Sequence, residues 1–334
     1  MMINLAMAFL TAALIAGLVR AARVLDRPND RSNHSDPTPR SGGLGVLAGF
    51  FAGVALLAGL TPAAGSALGA IAAVSALVGL VGLADDLTTL SERLKFFLLA
   101  ALSVALAAGV GPVTDLGYAL PWIIGLIGSA LWIFTVMNAV NFMDGSDGIL
   151  VATLIPAALA LAIMGDGAVT AGGLILAAAL AGFAIWNIPV LGRRGSLFAG
   201  DIGSLGSACL FAGLALYWAV ISPSGSVWLA PLLVMPILAD VLLTMAARFK
   251  AGRRLFAAHR AHAYQLLIRM GVSHARIALI WGGLSLGFGA LAMIGNAGEM
   301  WVKPAVFLLG VVLAVIGHRI VRTKARAAGL DVTR

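Results

Sequence analysis

Apolar stretches of roughly 17 to 25 residues, the length that crosses about 30 Å of hydrocarbon as a helix, recur about eleven times along this 334-residue chain. They fall at 3–22, 43–60, 65–84, 94–110, 118–137, 149–165, 169–188, 202–221, 226–247, 276–295 and 301–320. The bilayer core offers no water, so each stretch has to satisfy its backbone N–H and C=O groups internally. The chain is therefore predicted to be all-α, a polytopic transmembrane bundle of about 10–11 helices. A water-soluble globule is excluded, because 61% of the residues are hydrophobic and only 11% are charged, against about 25% charged in a soluble domain. Cys209 is the one cysteine, which rules out an internal disulfide and a cysteine metal site.

The formal charge of +8 reads as a topology signal in such a chain, not as a nucleic-acid footprint. Breaks around Pro62, Asp115, Asp166, Ser224 and Glu299 are short and acidic or neutral, and they alternate with longer, arginine-rich ones. Placing the arginine-rich loops in the cytoplasm puts every Lys and Arg except Lys303 on that side. The N-terminus then lies outside and the C-terminus in the cytoplasm. No basic residue precedes the first span and Arg20, Arg23, Arg27 and Arg31 follow it, so it reads as an uncleaved helix. No repeat and no matched pair of broken segments marks a secondary transporter.

The polar clusters gather at the cytoplasmic helix mouths, whereas a pump or channel places ionisable groups near the midplane. The first cluster is Arg27, Arg31 and His34, then Pro37-Thr38-Pro39-Arg40-Ser41-Gly42-Gly43, where the glycines would let backbone amides approach an anion. The second is Asp85-Asp86, followed by Glu92, Arg93 and Lys95; adjacent carboxylates call for a metal ion or an arginine. In the third, Asn138, Asn141, Asp144 and Asp147 recur every three residues, and Gly145 and Gly148 are predicted to break the helix so that all four side chains converge. The fourth is Gly200-Asp201-Ile202-Gly203-Ser204 at the start of a span, suited to a diphosphate on backbone amides with Asp201 either holding Mg²⁺ or serving as a helix cap. Asn187, Pro189, Arg193 and Arg194 lie just upstream. The fifth is Arg253, Arg254, His259, Arg260, His262, Tyr264 and Gln265, phosphate donors in the longest inside loop. Asp240 sits inside an apolar span and is expected to face the bundle and the site.

In this order, the motifs from Pro37 to Gly43, Asp85-Asp86, Asn138 to Gly148, Gly200 to Ser204 and the histidine loop resemble the polyprenyl-phosphate N-acetylhexosamine-1-phosphate transferase family, over nearly the whole chain. The resemblance implies a single integral membrane transferase domain over residues 1–334, with cytoplasmic loops forming the active site in a bacterial inner membrane. It implies transfer of a sugar 1-phosphate from a UDP-sugar to undecaprenyl phosphate with Mg²⁺ (or Mn²⁺) and release of UMP. By motif position Asp201 is the metal ligand, and Asp85, Asp86, Asp144 and Asp147 form the catalytic set. Asp85 and Asp86 would serve the lipid phosphate, and Asp144, Asp147 and Asn187 would shape the nucleotide or metal pocket. Arg40, Asn138, Asn141, Asn187, His259, Arg260 and His262 are the substrate-binding candidates. Membrane lipids and a second copy of the chain are the further partners, with no nucleic acid.

Arg40-Ser41 stands where the phospho-MurNAc-pentapeptide transferases have Thr-Met, and His259-Arg260-Ala261-His262 replaces their triple histidine. Both resemble the branch that initiates O-antigen or capsule-type glycans, including users of 6-deoxy-N-acetylhexosamines. The lipid phosphate is largely dianionic at pH 7, so direct attack on the β-phosphorus is preferred to an aspartyl-phosphate intermediate. Two other classes stay in view: an intramembrane prenyltransferase, from the Asp144-Gly-Ser-Asp147 motif, and an ion-coupled transporter, from Asp240.

Overall fold

The computed structural model describes residues 1–23, 25–26, 38–60, 62–188, 195–254 and 259–333, with no side-chain description for residues 60–67. The expectations placed on Arg27, Arg31, His34, Pro37, Pro189, Arg193 and Arg194 lie outside the described residues. The chain runs through α1 (Met2–Ala22), β1 (Leu25–Asp26), β2 (Thr38–Pro39), α2 (Leu44–Leu60), α3 (Pro62–Thr88), α4 (Glu92–Val110), α5 (Trp122–Met143), α6 (Ile149–Met164) and α7 (Ala168–Asn187). It continues through α8 (Gly200–Ile221), a 3₁₀ turn at Ser226–Trp228, α9 (Ala230–Leu233), α10 (Met235–Lys250), α11 (Ala263–Arg269), α12 (His274–Asn296) and α13 (Val302–Ala327). Among the described residues, eight helices are long and apolar enough to cross a membrane, and a bent pair supplies a ninth. Two shorter apolar helices, Leu44–Gly59 and Ile149–Met164, occupy the remaining runs. The helical bundle is as expected, with one small addition: β1 and β2 pair antiparallel over two residues each.

Helix α8 is the axis of the bundle, with every residue from Ile202 to Leu216 buried. α3 and α5 lie along it, α1 packs on α2 and α7, and α6 packs on α7 and α12. Lipid offers no hydrophobic drive between helices, so close approach depends on small residues at the crossings. The tightest is Gly43 against Gly203, where a Cβ built on Gly43 would lie 1.9 Å from the Gly203 Cα. The outer surfaces of α4, α5, α12 and α13 expose Leu98, Phe97, Ile127, Leu131, Leu284 and Leu308 to the lipid side.

Three spans depart from their sequence boundaries. α5 continues to Met143, so Asn138 and Asn141 stand on its last turns and are not in a loop; the helix breaks at Asp144. The run at 226–247 bends by 81° between Leu233 and Met235, where Pro236, which has no N–H, fits only a new first turn. α13 runs on to Ala327, which places His318 and Arg322 within the bundle as buried residues. Lys303 is also buried, its Nζ donating to Ser224 O at 3.1 Å and Ser226 Oγ at 3.0 Å. That one basic residue on the far side thus ties the start of α13 to the 224–226 turn instead of presenting charge to solvent.

Candidate active site

The centre of the site is Asp201, on the first turn of α8. Its Oδ1 accepts from Asn141 Nδ2 at 2.9 Å, and its Oδ2 pairs with Lys95 Nζ. The same ammonium reaches Asp85 Oδ2 at 2.8 Å, so Lys95 bridges the two carboxylates. The other oxygen of Asp85 accepts from the Leu90 N–H at 2.7 Å. Asn141 Nδ2 also donates to Ser204 Oγ at 2.8 Å. Asn138, one turn earlier, turns its amide back to Phe134 O at 2.8 Å along its own helix. Sequence reasoning named Lys95 without a role. Its partner is 106 residues away, and no local spacing could have joined them.

Asp86 does the work of a cap. Its Oδ1 accepts from the Asp201 N–H at 3.1 Å, and its Oδ2 accepts from Ser41 Oγ at 2.9 Å and faces the Ile202 N–H at 3.5 Å. The Arg40 guanidinium donates to the Asp86 carbonyl. One buried carboxylate on α3 therefore closes the open N–H groups of α8 and fastens the 40–43 segment to them. Gly200 makes this approach feasible, since it has φ +70° and any Cβ there would stand 2.5 Å from Asp86 Oδ2.

Two expectations are corrected by these contacts. The Gly42 and Gly43 amides do not cradle an anion: they donate to Phe198 O and Ala199 O, each at 2.9 Å, because the Gly43–Gly203 contact brings the two backbones together. Nor are the first amides of α8 open to a diphosphate, since Asp86 covers them. Asp201 is not a cap either; its side chain points away from its own helix end, toward Lys95 and Asn141.

The acidic loop after α5 divides its carboxylates. Asp147 is buried, with Oδ2 accepting from the Gly195 N–H at 3.0 Å and lying 4.0 Å from His274 Nδ1. That imidazole, which sequence reasoning missed, also meets Ser146 Oγ at 3.1 Å. Asn187 is a staple, its Oδ1 accepting from the Gly148 N–H and its Nδ2 donating to Leu197 O, each at 3.1 Å. Asp144 differs from them: among the described residues no hydrogen bond reaches its carboxylate. Burial first, then the charges of Asp201, Asp147 and Asp86, push the Asp144 carboxyl well above the usual carboxylate range.

The histidine loop is anchored by Asp240. Its Oδ1 accepts from the Ala263 N–H at 2.6 Å and Thr244 Oγ1 at 3.2 Å, and its Oδ2 from the Tyr264 N–H at 3.2 Å. Tyr264 OH donates to Phe142 O at 3.4 Å, joining α11 to the end of α5. His259 and His262 lie with ring centres 4.8 Å apart. Burial, with the neighbouring His262 next, lowers the His259 pKa to about 4. Arg260 accepts through its carbonyl from Arg269. On the other side of Asp240 an apolar cavity of about 580 Å³ lies between α10, α12 and α13, lined by Trp281, Phe288 and His318.

Among the described residues no three histidine, cysteine or acidic side chains converge to hold a metal ion. Mg²⁺ needs no such cluster, being bound through one or two carboxylates with waters and substrate phosphates completing the shell. The donor chemistry fits: Asp144 has a carboxylate without a hydrogen-bond donor beside Asp201, and Lys95 already shows that a cation is favoured against Asp201.

The bundle thus gathers carboxylates, amides and Lys95 around Asp201 at one end. Residues 68–219 match glycosyl transferase family 4. The chain is 28% identical over 317 residues to the undecaprenyl-phosphate alpha-N-acetylglucosaminyl 1-phosphate transferase of Yersinia pestis, covering 87% of this chain and 82% of that one. It is 29% identical over 342 residues to the decaprenyl-phosphate N-acetylglucosaminephosphotransferase of Mycobacterium tuberculosis (87% and 83% covered). The corresponding Escherichia coli K12 undecaprenyl-phosphate enzyme is 27% identical over 313 residues (86% and 81%). The match to glycosyl transferase family 4 and these relatives support the resemblance to the polyprenyl-phosphate N-acetylhexosamine-1-phosphate transferases.

Proposed function

We propose that the protein transfers a sugar 1-phosphate, from a UDP-N-acetylhexosamine or its 6-deoxy relative, to undecaprenyl phosphate on the cytoplasmic face of a bacterial inner membrane. UMP leaves, and the product is the first lipid-linked intermediate of a cell-envelope glycan. The observation that carries this reading is Asp201, presented by a helix whose end is capped by another residue, beside Asp144, whose carboxylate no hydrogen bond reaches among the described residues. The polyprenyl-phosphate relatives aligned over most of the chain support it.

In this reaction an oxygen of the acceptor phosphate attacks the β-phosphorus, and the bond from that phosphorus to the bridging oxygen breaks, leaving UMP. All the reacting groups are anions, so catalysis is mainly charge neutralisation and in-line positioning. Asp201 and Asp144 would hold Mg²⁺, which supplies positive charge to the diphosphate when bound. Lys95 adds a second positive charge between Asp85 and Asp201. Asn141 fixes the rotamer of Asp201, and Asp86 and Ser41 fix the helix that carries it. His262 and Arg260 offer donors to the phosphates of the UDP-sugar.

The other two readings lose their best residues. Asp240, the basis for a transporter, is committed to the N-terminus of α11. The Asp144–Asp147 motif of a prenyltransferase does not act as a pair, because Asp147 is bonded to Gly195. The test is UMP release by purified protein with a panel of UDP-N-acetylhexosamines. Release should need both a donor and undecaprenyl phosphate; release from donor alone, or none with any donor, contradicts the proposal.

A further inference from the structure

Asp240 is a buried carboxylate in a helix that the reaction itself does not use. A lone aspartate at a membrane helix centre costs about 2.5–3.5 kcal/mol, and here one side of it borders the apolar cavity. It is satisfied from within, by the Ala263 and Tyr264 N–H groups and by Thr244. A cap of α11 would need no more than that. Yet His262 Nδ1 also lies 3.7 Å from Asp240 Oδ1, an ion-pair distance longer than a hydrogen bond, and this nitrogen is shut off from solvent with no hydrogen bond among the described residues. With Nδ1 enclosed, Nε2 is the only nitrogen of His262 that a ligand can meet. The imidazole neighbours the rings of His259, 4.8 Å away, and Tyr264, 6.1 Å away, centre to centre, and Tyr264 is tied to Phe142 beside the acidic loop. The other charged or titratable groups around Asp240 are His318, which contacts Thr244 Oγ1 at 3.2 Å, and Arg322, both on α13.

We propose that Asp240 is a positioning residue for donor recognition: it holds the Nδ1–H of His262 and so presents Nε2 of that imidazole to the phosphates of the UDP-sugar. This rests on the reading of the protein as a UDP-sugar transferase. A carboxylate opposite Nδ1 fixes the tautomer and ring orientation and strengthens the charge that the far nitrogen offers an anion.

Capping and positioning respond differently to Asn, which keeps one acceptor oxygen for the α11 N–H groups but loses the second and the charge. If Asp240 positions His262, Asp240→Asn still folds, with a lower melting temperature because one α11 N–H loses its acceptor, while KM for the UDP-sugar rises about 10- to 100-fold, the worth of a hydrogen bond to a charged group. KM for undecaprenyl phosphate stays level. Adding Asp240→Asn to His262→Ala then costs nothing further, since the effect passes through His262. Wild-type kinetics in Asp240→Asn, or losses that multiply in the double variant, overturn the proposal.

A second measurement needs neither turnover nor a folded Asp240 variant. In the full chain labelled with ¹⁵N-histidine, the His262 signal, assigned by its loss in His262→Gln, should report a proton on Nδ1. A neutral ring protonated only on Nε2 overturns the proposal. Failure of the transferase reading would appear separately, as absence of UMP release by the unsubstituted enzyme.

Discussion

Asp86 and Asp201 are both acidic residues at one helix end, and their environments assign them different work. Asp86 is 6% exposed and accepts from two backbone N–H groups and a hydroxyl, so Asp86→Ala is expected to destabilise the fold by about 0.5–2 kcal/mol, as for a lost cap. Asp86→Asn keeps most of that stability, and thermal melts of the pair distinguish the two. His259 supplies a pH test. Its pKa in the fold, about 4, lies below the ordinary 6.5, so between those values the unfolded chain binds a proton that the native one refuses. The neutral ring's stabilisation is complete above pH 6.5 and is lost as pH falls toward 4. The drop in melting temperature from pH 7.5 to pH 5 should therefore be smaller in His259→Gln than in the unsubstituted protein, and an equal drop counts against a buried neutral His259. At this scale the sequence disclosed residue types well and partners poorly. Asp201 and Asn141 stood out by spacing, but Lys95, His274 and the cap formed by Asp86 depend on neighbours far away in the chain.

The helices were the most legible elements, because twenty apolar residues in succession leave the backbone no other way to satisfy itself in lipid. Their ends were harder to place. α5 outruns its apolar stretch since Asn138 and Asn141 bond within the bundle, and polarity there does not signal a loop. Gly42-Gly43 was misread for a related reason: a glycine pair at a helix start serves an anion or a close backbone equally well, and only α8 lying against it decides. Gly43→Ala should accordingly push α2 from α8, lowering the melting temperature and, by disturbing the Asp86 contacts, the transfer rate as well. A variant as stable and active as the original would show that the crossing has room to spare.

For the whole molecule, the alternation of basic and neutral breaks predicts a cytoplasmic C-terminus, because all the basic residues but Lys303 fall on that side. A fluorescent protein fused after the last residue should glow; a dark fusion, with a periplasmic phosphatase active at the same place, reverses the orientation. The bundle brings α3, α4, α5 and α8 together at one end, where hydrogen bonds join residues up to 116 positions apart. The central claim is that this end is the reaction centre and that Asp201 is its metal-facing carboxylate, and turnover by Asp201→Asn at limiting Mg²⁺ tests it most directly. Asp86, not Asp201, closes the N-terminus of α8, so the variant should still fold, with its melting temperature lowered only by the lost Lys95 and Asn141 contacts. Asn lacks the negative charge that Mg²⁺ favours, so transfer should fall by orders of magnitude. A folded Asp201→Asn protein that releases UMP at a near-normal rate would contradict the account.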